Sequence, residues 1–364
     1  MLNQKDFFKD LKVVELASVL AGPAVGMFFA ELGANVIKVE NKNGGDVTRS
    51  WTNPNESNED EKSAYYHSVN WNKQVLFLDL KNKEDYTELM NQLKDADLLI
   101  TNFKSGDDKK FNLVSKDLIA KFPSLIIGEI AGYSDSAKVA YDAVLQAETG
   151  FMFLNGTRDS GPLKMPIAMI DILAAHQLKE GILLGLINRA KTNCGCIVKV
   201  NLFDAAVASL ANQASNWLNN EYESPRMGSL HPNIAPYGET FQTKDGKQIL
   251  LAVGSDKQFK SLCEILNAQE LISDERFTTN LARVKNRNLL NELIVVRFQT
   301  ESASHWMNLF NEHQVPAGIV NSIADVFELE AAKKKIIHQS ELNGSESRRV
   351  ETIAFTISDG DQNA

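Results

Sequence analysis

The sequence predicts an α/β protein: an open, Rossmann-like parallel sheet in a large domain, with a second, smaller α+β domain. Three observations carry this. The first forty residues read as strand, helix, strand; short apolar runs then alternate with amphipathic ones to about residue 130; and after residue 221 a loop rich in Pro and Gly leads into a hairpin.

Taken in order, residues 11–16 form a strand around Val13 and Val14. Ala21-Gly22-Pro23 is a turn with Pro at the first helical position, residues 24–32 are a helix closed by Gly33, and residues 34–40 are a second strand. This is one βαβ unit. Helices near 83–94 and 115–122 alternate with strands at 97–101 and 124–130. Open sheets of this kind bind ligands at the carboxyl ends of their strands, so the loops starting at Ala17, Asn41, Asn102 and Ala131 are the expected site wall. A long amphipathic helix begins near Asp171, followed by a strand at 196–202 and a helix at 203–221. The loop 224–238, a hairpin turning at Lys244-Asp245-Gly246 and charged helices to about residue 313 complete the pattern. The expected large domain is 1–221, completed by 322–364, and the small domain is 222–321. Residues 48–63 and the tail after Asn343 are polar and expected at the surface.

A chain of 364 residues, 43% hydrophobic, exceeds what one core usually organises. Its N-terminus lacks the features of a secretory signal and no apolar run approaches the roughly 20 residues of a membrane span, so a cytoplasmic location without membrane association is expected. Three cysteines are too few for a disulfide framework. A net charge of −9 argues against nucleic acid and for a small metabolite, which local Lys and Arg could hold if it is polyanionic.

The opening βαβ unit invites a dinucleotide reading, with Glu40 placed to hold a ribose. Its glycines fail the fingerprint: Gly22 and Gly26 are spaced G-x-x-x-G around Pro23, so no nicotinamide cofactor is expected. Zinc, P-loop and G-x-S-x-G signatures are missing, and no metal is expected. The most informative residue is Asp171, a lone acid between the apolar run 165–170 and the long helix. Two readings stand open for it. It caps the helix, or it does chemistry.

With these residues laid out, the chain resembles the family III CoA-transferases, the CaiB/BaiF family. The resemblance rests on Lys12-Val13-Val14-Glu15-Leu16, Leu20-Ala21-Gly22-Pro23, the run 31–40, Gly45-Asp46-Val47-Thr48-Arg49, Asn70-Trp71-Asn72-Lys73, Leu78-Asp79-Leu80-Lys81, Asn102-Phe103, Ala131-Gly132-Tyr133, Tyr141-Asp142 with Gln146-Ala147, His231-Pro232-Asn233, and Val315-Pro316-Ala317-Gly318. It covers roughly residues 11–330. Asp171 falls where the family keeps its catalytic aspartate.

The resemblance implies transfer of coenzyme A from an acyl-CoA to a free carboxylic acid through an aspartyl-CoA intermediate on Asp171, in an interlocked homodimer. It places Leu78, Asp79, Leu80, Lys81, Asn102, Phe103, Lys104 and Lys110 at or near the nucleotide of CoA. Ser18, Leu20, Lys138 and Tyr141 fall along the pantetheine and thioester path, and Gly228 and His231 on a lid over the substrate. Leu20 stands where formyl-CoA transferases carry glutamine, which argues against an oxalate-type substrate. Two other activities are weighed: an α-methylacyl-CoA racemase, whose His is replaced here by Tyr141, a poor base near neutrality, and a non-catalytic CoA-binding protein.

Overall fold

A computed structural model describes residues 4–56, 62–134, 136, 138–340 and 346–358. The chain divides into two compact units. One comprises Met1–Phe151, Lys164–Ala211 and Lys334–Ala364, the other Met152–Leu163 and Asn212–Lys333. The second unit therefore starts earlier than residue 222, runs past 321, and takes in a short piece ahead of the long helix.

In the first unit the elements run β1 (Lys12–Leu16), α1 (Ala21–Glu31), β2 (Asn35–Asn41), α2 (Ala64–His67), β3 (Lys73–Leu78), α3 (Lys83–Lys94), β4 (Leu98–Thr101), α4 (Asp107–Lys110), α5 (Ser115–Lys121), β5 (Ile126–Ala131) and α6 (Asp142–Glu148). A short α7 (Phe151–Leu154) leads out, and α8 (Met169–Thr192), β6 (Ile197–Asn201) and α9 (Leu202–Ala208) follow. The six strands are parallel, in the order β3-β2-β1-β4-β5-β6. That order reverses between β1 and β4, and the crevice above such a reversal is where open α/β sheets place ligands.

Alternation within the strands builds two cores. Val13, Leu98, Ile100 and Ile126 face one side with α1, α8 and α9; Val14, Leu99 and Ile127 face the other with α3 and α5. Strands covered on both faces need apolar residues at every position, which is why β4 is buried throughout. Gly128 lets α8 lie close to β5, since a Cβ there would come within 2.9 Å of Ile182.

Several elements differ from expectation. Strand β3 is not among those read from the sequence: it is an edge strand paired only with β2, half exposed, and it opens on Lys73 and Gln74. Helix α1 starts at Ala21, with Pro23 third; proline's missing N–H is harmless anywhere in a first turn. The helix expected at 203–221 is two, α9 and α10 (Ala211–Asn220), broken where Ala211 takes φ +48°. Within 48–63, the two ends are not a loose excursion, because Thr48 and Ser63 are buried and the Ser63 hydroxyl donates to the Thr48 carbonyl at 2.6 Å. Residues 57–61 lie outside the described residues. Nor is the stretch after residue 343 all surface: β10 (Ile336–Ser340) and β11 (Glu346–Val350) form a hairpin, and Arg349 is buried against Glu31 of α1 at 2.5 Å.

The second unit holds β7 (Tyr237–Gln242), β8 (Gln248–Ala252) and β9 (Ala317–Ile319) in one antiparallel sheet, with α11 (Asp256–Ile265), α12 (Asn280–Lys285), α13 (Arg287–Phe298) and α14 (Ala303–Glu312). The hairpin turns at Gly246, φ +78°. Its core centres on Phe298, stacked on Phe241 at 4.5 Å and flanked by Trp306 and Phe310. Among the described residues no helix is long and apolar enough to cross a membrane.

Candidate active site

Helix α8 begins at Met169 with Ala168 as N-cap, and Ala168 offers no side-chain oxygen. Asp171 is thus the third helical residue. The capping reading of it is overturned: the acid that caps α8 is Asp142, whose Oδ1 accepts the Ile170 N–H at 2.8 Å. Asp142 Oδ2 accepts from Gln146 Nε2 at 2.7 Å, while Gln146 Oε1 accepts the Met165 N–H at 2.8 Å. Two side chains one turn apart on α6 therefore hold both the entry strap and the first turn of α8.

Asp171 itself is 9% exposed. Among the described residues nothing donates a hydrogen bond to its carboxylate; burial, and after it the charge of Asp142, push its pKa up to about 7. Tyr65 of α2 lies in the same field. Its ring meets Trp51 edge-on at 5.1 Å, and burial, then the charges of Asp171, Asp142 and Asp46, push its phenol up to about 12. Tyr65 stays a neutral donor at physiological pH. A carboxylate stripped of hydrogen bonds and water is a stronger nucleophile than a solvated one.

At the strand-order reversal, the loop after β1 is fixed from two sides. Asn102, just past β4, accepts the Ser18 N–H at 3.0 Å and donates to the Ser18 carbonyl at 2.8 Å. Val19 takes φ +70°, a rare conformation for a β-branched residue, and its N–H points to the Asp46 carboxylate at 3.3–3.4 Å. Backbone strain of this kind persists only when the surroundings over-determine it. Here they do. Lys38 bonds Asp46 (3.0 Å), Glu15 (3.0 Å) and the Ala17 carbonyl (2.7 Å), and Lys73 reaches Glu15 at 2.8 Å. Glu15 and Lys38 are register partners across β1 and β2. Burial would lower Lys38, but Glu15 and Asp46 outweigh it and hold it raised; burial drives Lys73 down to about 8.

The residues singled out in the sequence occupy these places. Ser18 is exposed and Leu20 is the N-cap of α1. Leu78 is buried at the end of β3; the Asp79 N–H bonds Asp85, and Asp79 accepts from the Lys81 N–H, with Leu80 between them half-buried. Phe103 packs near Phe111, Lys104 is exposed, and Lys110 sits 5.1 Å from the Phe111 ring and 3.4 Å from Asp107. Lys138 pairs with Glu148 over Tyr133, and Tyr141 is 53% exposed at the start of α6. Leu78 ends β3, and the others lie in the segments that follow β1, β3, β4 and β5. Gly228 and His231 belong to the second unit. Gly228 takes φ +64° and donates to the Gly156 carbonyl at 2.8 Å; His231 lies on Tyr237, and Arg287 holds its carbonyl at 2.6 Å. Sequence reasoning passed over Tyr65, Lys38 and the part played by Asp142 and Asp46. A signal existed for Lys38: charged residues inside two apolar parallel strands, Glu15 in β1 and Lys38 in β2, call for partners.

Comparison with known proteins identifies the family to which this arrangement belongs. The profile of CoA-transferase family III matches residues 8–362, and the chain belongs to that family. It is 36% identical over 334 residues to the succinate–glutarate CoA-transferase of Agrobacterium fabrum, covering 90% of this chain and 83% of that protein. It is 34% identical over 341 residues to the human succinyl-CoA:glutarate CoA-transferase, covering 93% and 76%. A CaiB/BaiF family protein from Brucella suis has a solved structure that is 37% identical with a TM-score of 0.83, covering 96% of this chain and 92% of that one. A Mycobacterium tuberculosis structure at 24% identity, TM-score 0.82, covering 97% and 93%, shares the fold. The protein is an acyl-CoA:carboxylate CoA-transferase, and it moves coenzyme A between an acyl-CoA and a free acid.

Proposed function

We propose that Asp171 is the covalent nucleophile of this transfer. One oxygen of its carboxylate attacks the thioester carbonyl carbon of the donor, the carbon–sulfur bond breaks, and CoA leaves as thiolate from a mixed anhydride. The thiolate attacks Cγ of Asp171 and expels the donor acid as carboxylate, leaving aspartyl-CoA. The acceptor carboxylate attacks that Cγ and expels the thiolate, which then attacks the acceptor carbonyl and returns Asp171 as a free carboxylate. Charge is conserved at each step and no external proton is needed. The supporting observation is the Asp171 carboxylate, buried and without a hydrogen-bond donor among the described residues.

CoA binds, on this reading, along the carboxyl edge of the parallel sheet. Asn102 and Ser18 lie at the strand-order reversal, Phe103 offers a ring for adenine, and Lys81, Lys104, Lys110 and Lys138 supply cations for its phosphates. Succinyl-CoA as donor and glutarate as acceptor are the substrates favoured by the names of the two relatives above. The active form is a homodimer, to be checked by light scattering.

The test is to mix the enzyme with succinyl-CoA, trap with hydroxylamine or borohydride, and weigh the intact protein. The expected result is a modification mapped to Asp171, missing in Asp171→Ala along with turnover. Full transfer by Asp171→Ala overturns the proposal.

A further inference from the structure

The N-terminal end of α8 is the most favourable place nearby for one negative charge, because its first N–H groups and the helix dipole both welcome an anion. Two carboxylates compete for it. Asp142 takes it, through the 2.8 Å bond from the Ile170 N–H, and is itself held by Gln146 at 2.7 Å. Asp171, one residue further along, is left with no donor among the described residues although it sits in the first turn.

We propose that Asp142 is the positioning residue of the Asp171 site: by occupying the helix end, it fixes the first turn of α8 and denies Asp171 the hydrogen bond that would quieten its carboxylate. This rests on the reading of Asp171 as nucleophile. Two functions sit in one side chain. As a hydrogen-bond acceptor, Asp142 aligns the backbone that carries Asp171. As a charge, it faces Asp171 and disfavours its ionisation, which raises the basicity and with it the nucleophilicity of the carboxylate once formed. The groups facing Asp171 are Asp142 from α6 and the neutral phenol of Tyr65 from α2; from α1, α9, β5 and β6 no charged group among the described residues acts on it.

Substitution separates the two functions. Asp142→Asn keeps an oxygen for the Ile170 N–H and removes the charge, and Asp142→Ser does the same with a hydroxyl should the first variant fold poorly. Two quantities are read in the full-length protein. One is the pH profile of succinyl-CoA to glutarate transfer; the other is the titration of the Asp171 carboxyl in free enzyme, by isotope-edited infrared spectroscopy. In the neutral variants both the acid limb of the rate and the carboxyl titration move to lower pH by about one unit, and kcat on the alkaline plateau falls several-fold while KM for succinyl-CoA holds. Asp142→Ala, which also loses the cap, falls further on the plateau and loses thermal stability. A profile that drops in parallel at every pH, with the carboxyl titration unmoved, overturns the proposal and leaves Asp142 a structural cap. The infrared titration needs no CoA chemistry. If it moves while no adduct ever forms on Asp171, the nucleophile reading fails and the control of Asp171 by Asp142 stands. If adducts form on Asp171 while the titration stays where it was, the nucleophile reading stands and the control by Asp142 is overturned.

Discussion

The carboxamide of Asn102 holds Ser18 by both of its backbone polar groups, accepting its N–H and donating to its carbonyl. The two residues are 84 positions apart, yet each lies just past one of the two strands between which the sheet reverses order. One side chain thereby closes the crevice where a parallel sheet receives its ligand.

Replacing that side chain tests the role directly. Asn102→Ala removes both bonds and frees a strained loop, and is expected to cost about 1–3 kcal/mol of stability and to weaken CoA binding by more than tenfold. Asn102→Asp keeps the acceptor but turns a carboxylate toward the Ser18 carbonyl, so it is expected to do no better than alanine. Urea unfolding and calorimetric titration with CoA give both numbers.

Asp171 carries a stability cost with a definite pH signature. Its carboxyl titrates near 3.8 when unfolded and near 7 when folded, so between those values the native state binds the extra proton and stability falls as pH rises. Asp171→Asn is therefore expected to be more stable than the parent at pH 8, by on the order of 2–4 kcal/mol. The difference closes below about pH 4. Urea midpoints at pH 8 and pH 4 suffice to check it.

Lys38 is fully buried between Glu15 and Asp46. Lys38→Met leaves Asp46 without its cation and Glu15 with Lys73 alone, and is expected to destabilise by about 3–5 kcal/mol. Adding Asp46→Asn to that variant is expected to recover part of the loss, because the orphaned charge goes with it. Thermal unfolding of the two single variants and the double variant measures the coupling.

In the second unit, Gly238 takes φ +93°, and a Cβ there would lie 1.8 Å from the Ser229 carbonyl oxygen. Gly238→Ala is expected to cost more than about 2 kcal/mol. The comparison is Gly246→Ala, where φ is also positive but nothing stands within 4 Å. A loss at Gly246 equal to that at Gly238 would show that the Ser229 contact contributes nothing.

Much of the fold was legible because its residues obey local periodicities. Val13 and Val14 face opposite cores as alternation requires, and Gly33 at φ +95° ends α1 where only a residue tolerant of that conformation fits. What escaped depended on tertiary partners. Strand β3 has no strong pattern of its own and is ordered by pairing with β2. Asp171 stood out by its apolar neighbours, but its loss of the capping role to Asp142 depends on a bond between residues 28 positions apart. Tyr65 carries no local mark at all; only the tertiary fold brings its phenol into the field of three carboxylates, Asp171, Asp142 and Asp46.

The clasp between Arg349 and Glu31 joins residues 318 positions apart, and the whole second unit is threaded through the chain between them. Translation must therefore pass residue 349 before α1 can meet the strand that covers it. The inserted unit, whose segment 212–333 emerges earlier and carries its own aromatic centre, has the head start in biogenesis. Nascent chains arrested before residue 349 would carry a parallel sheet still lacking this brace, with the Glu31 carboxylate of α1 waiting for its guanidinium partner.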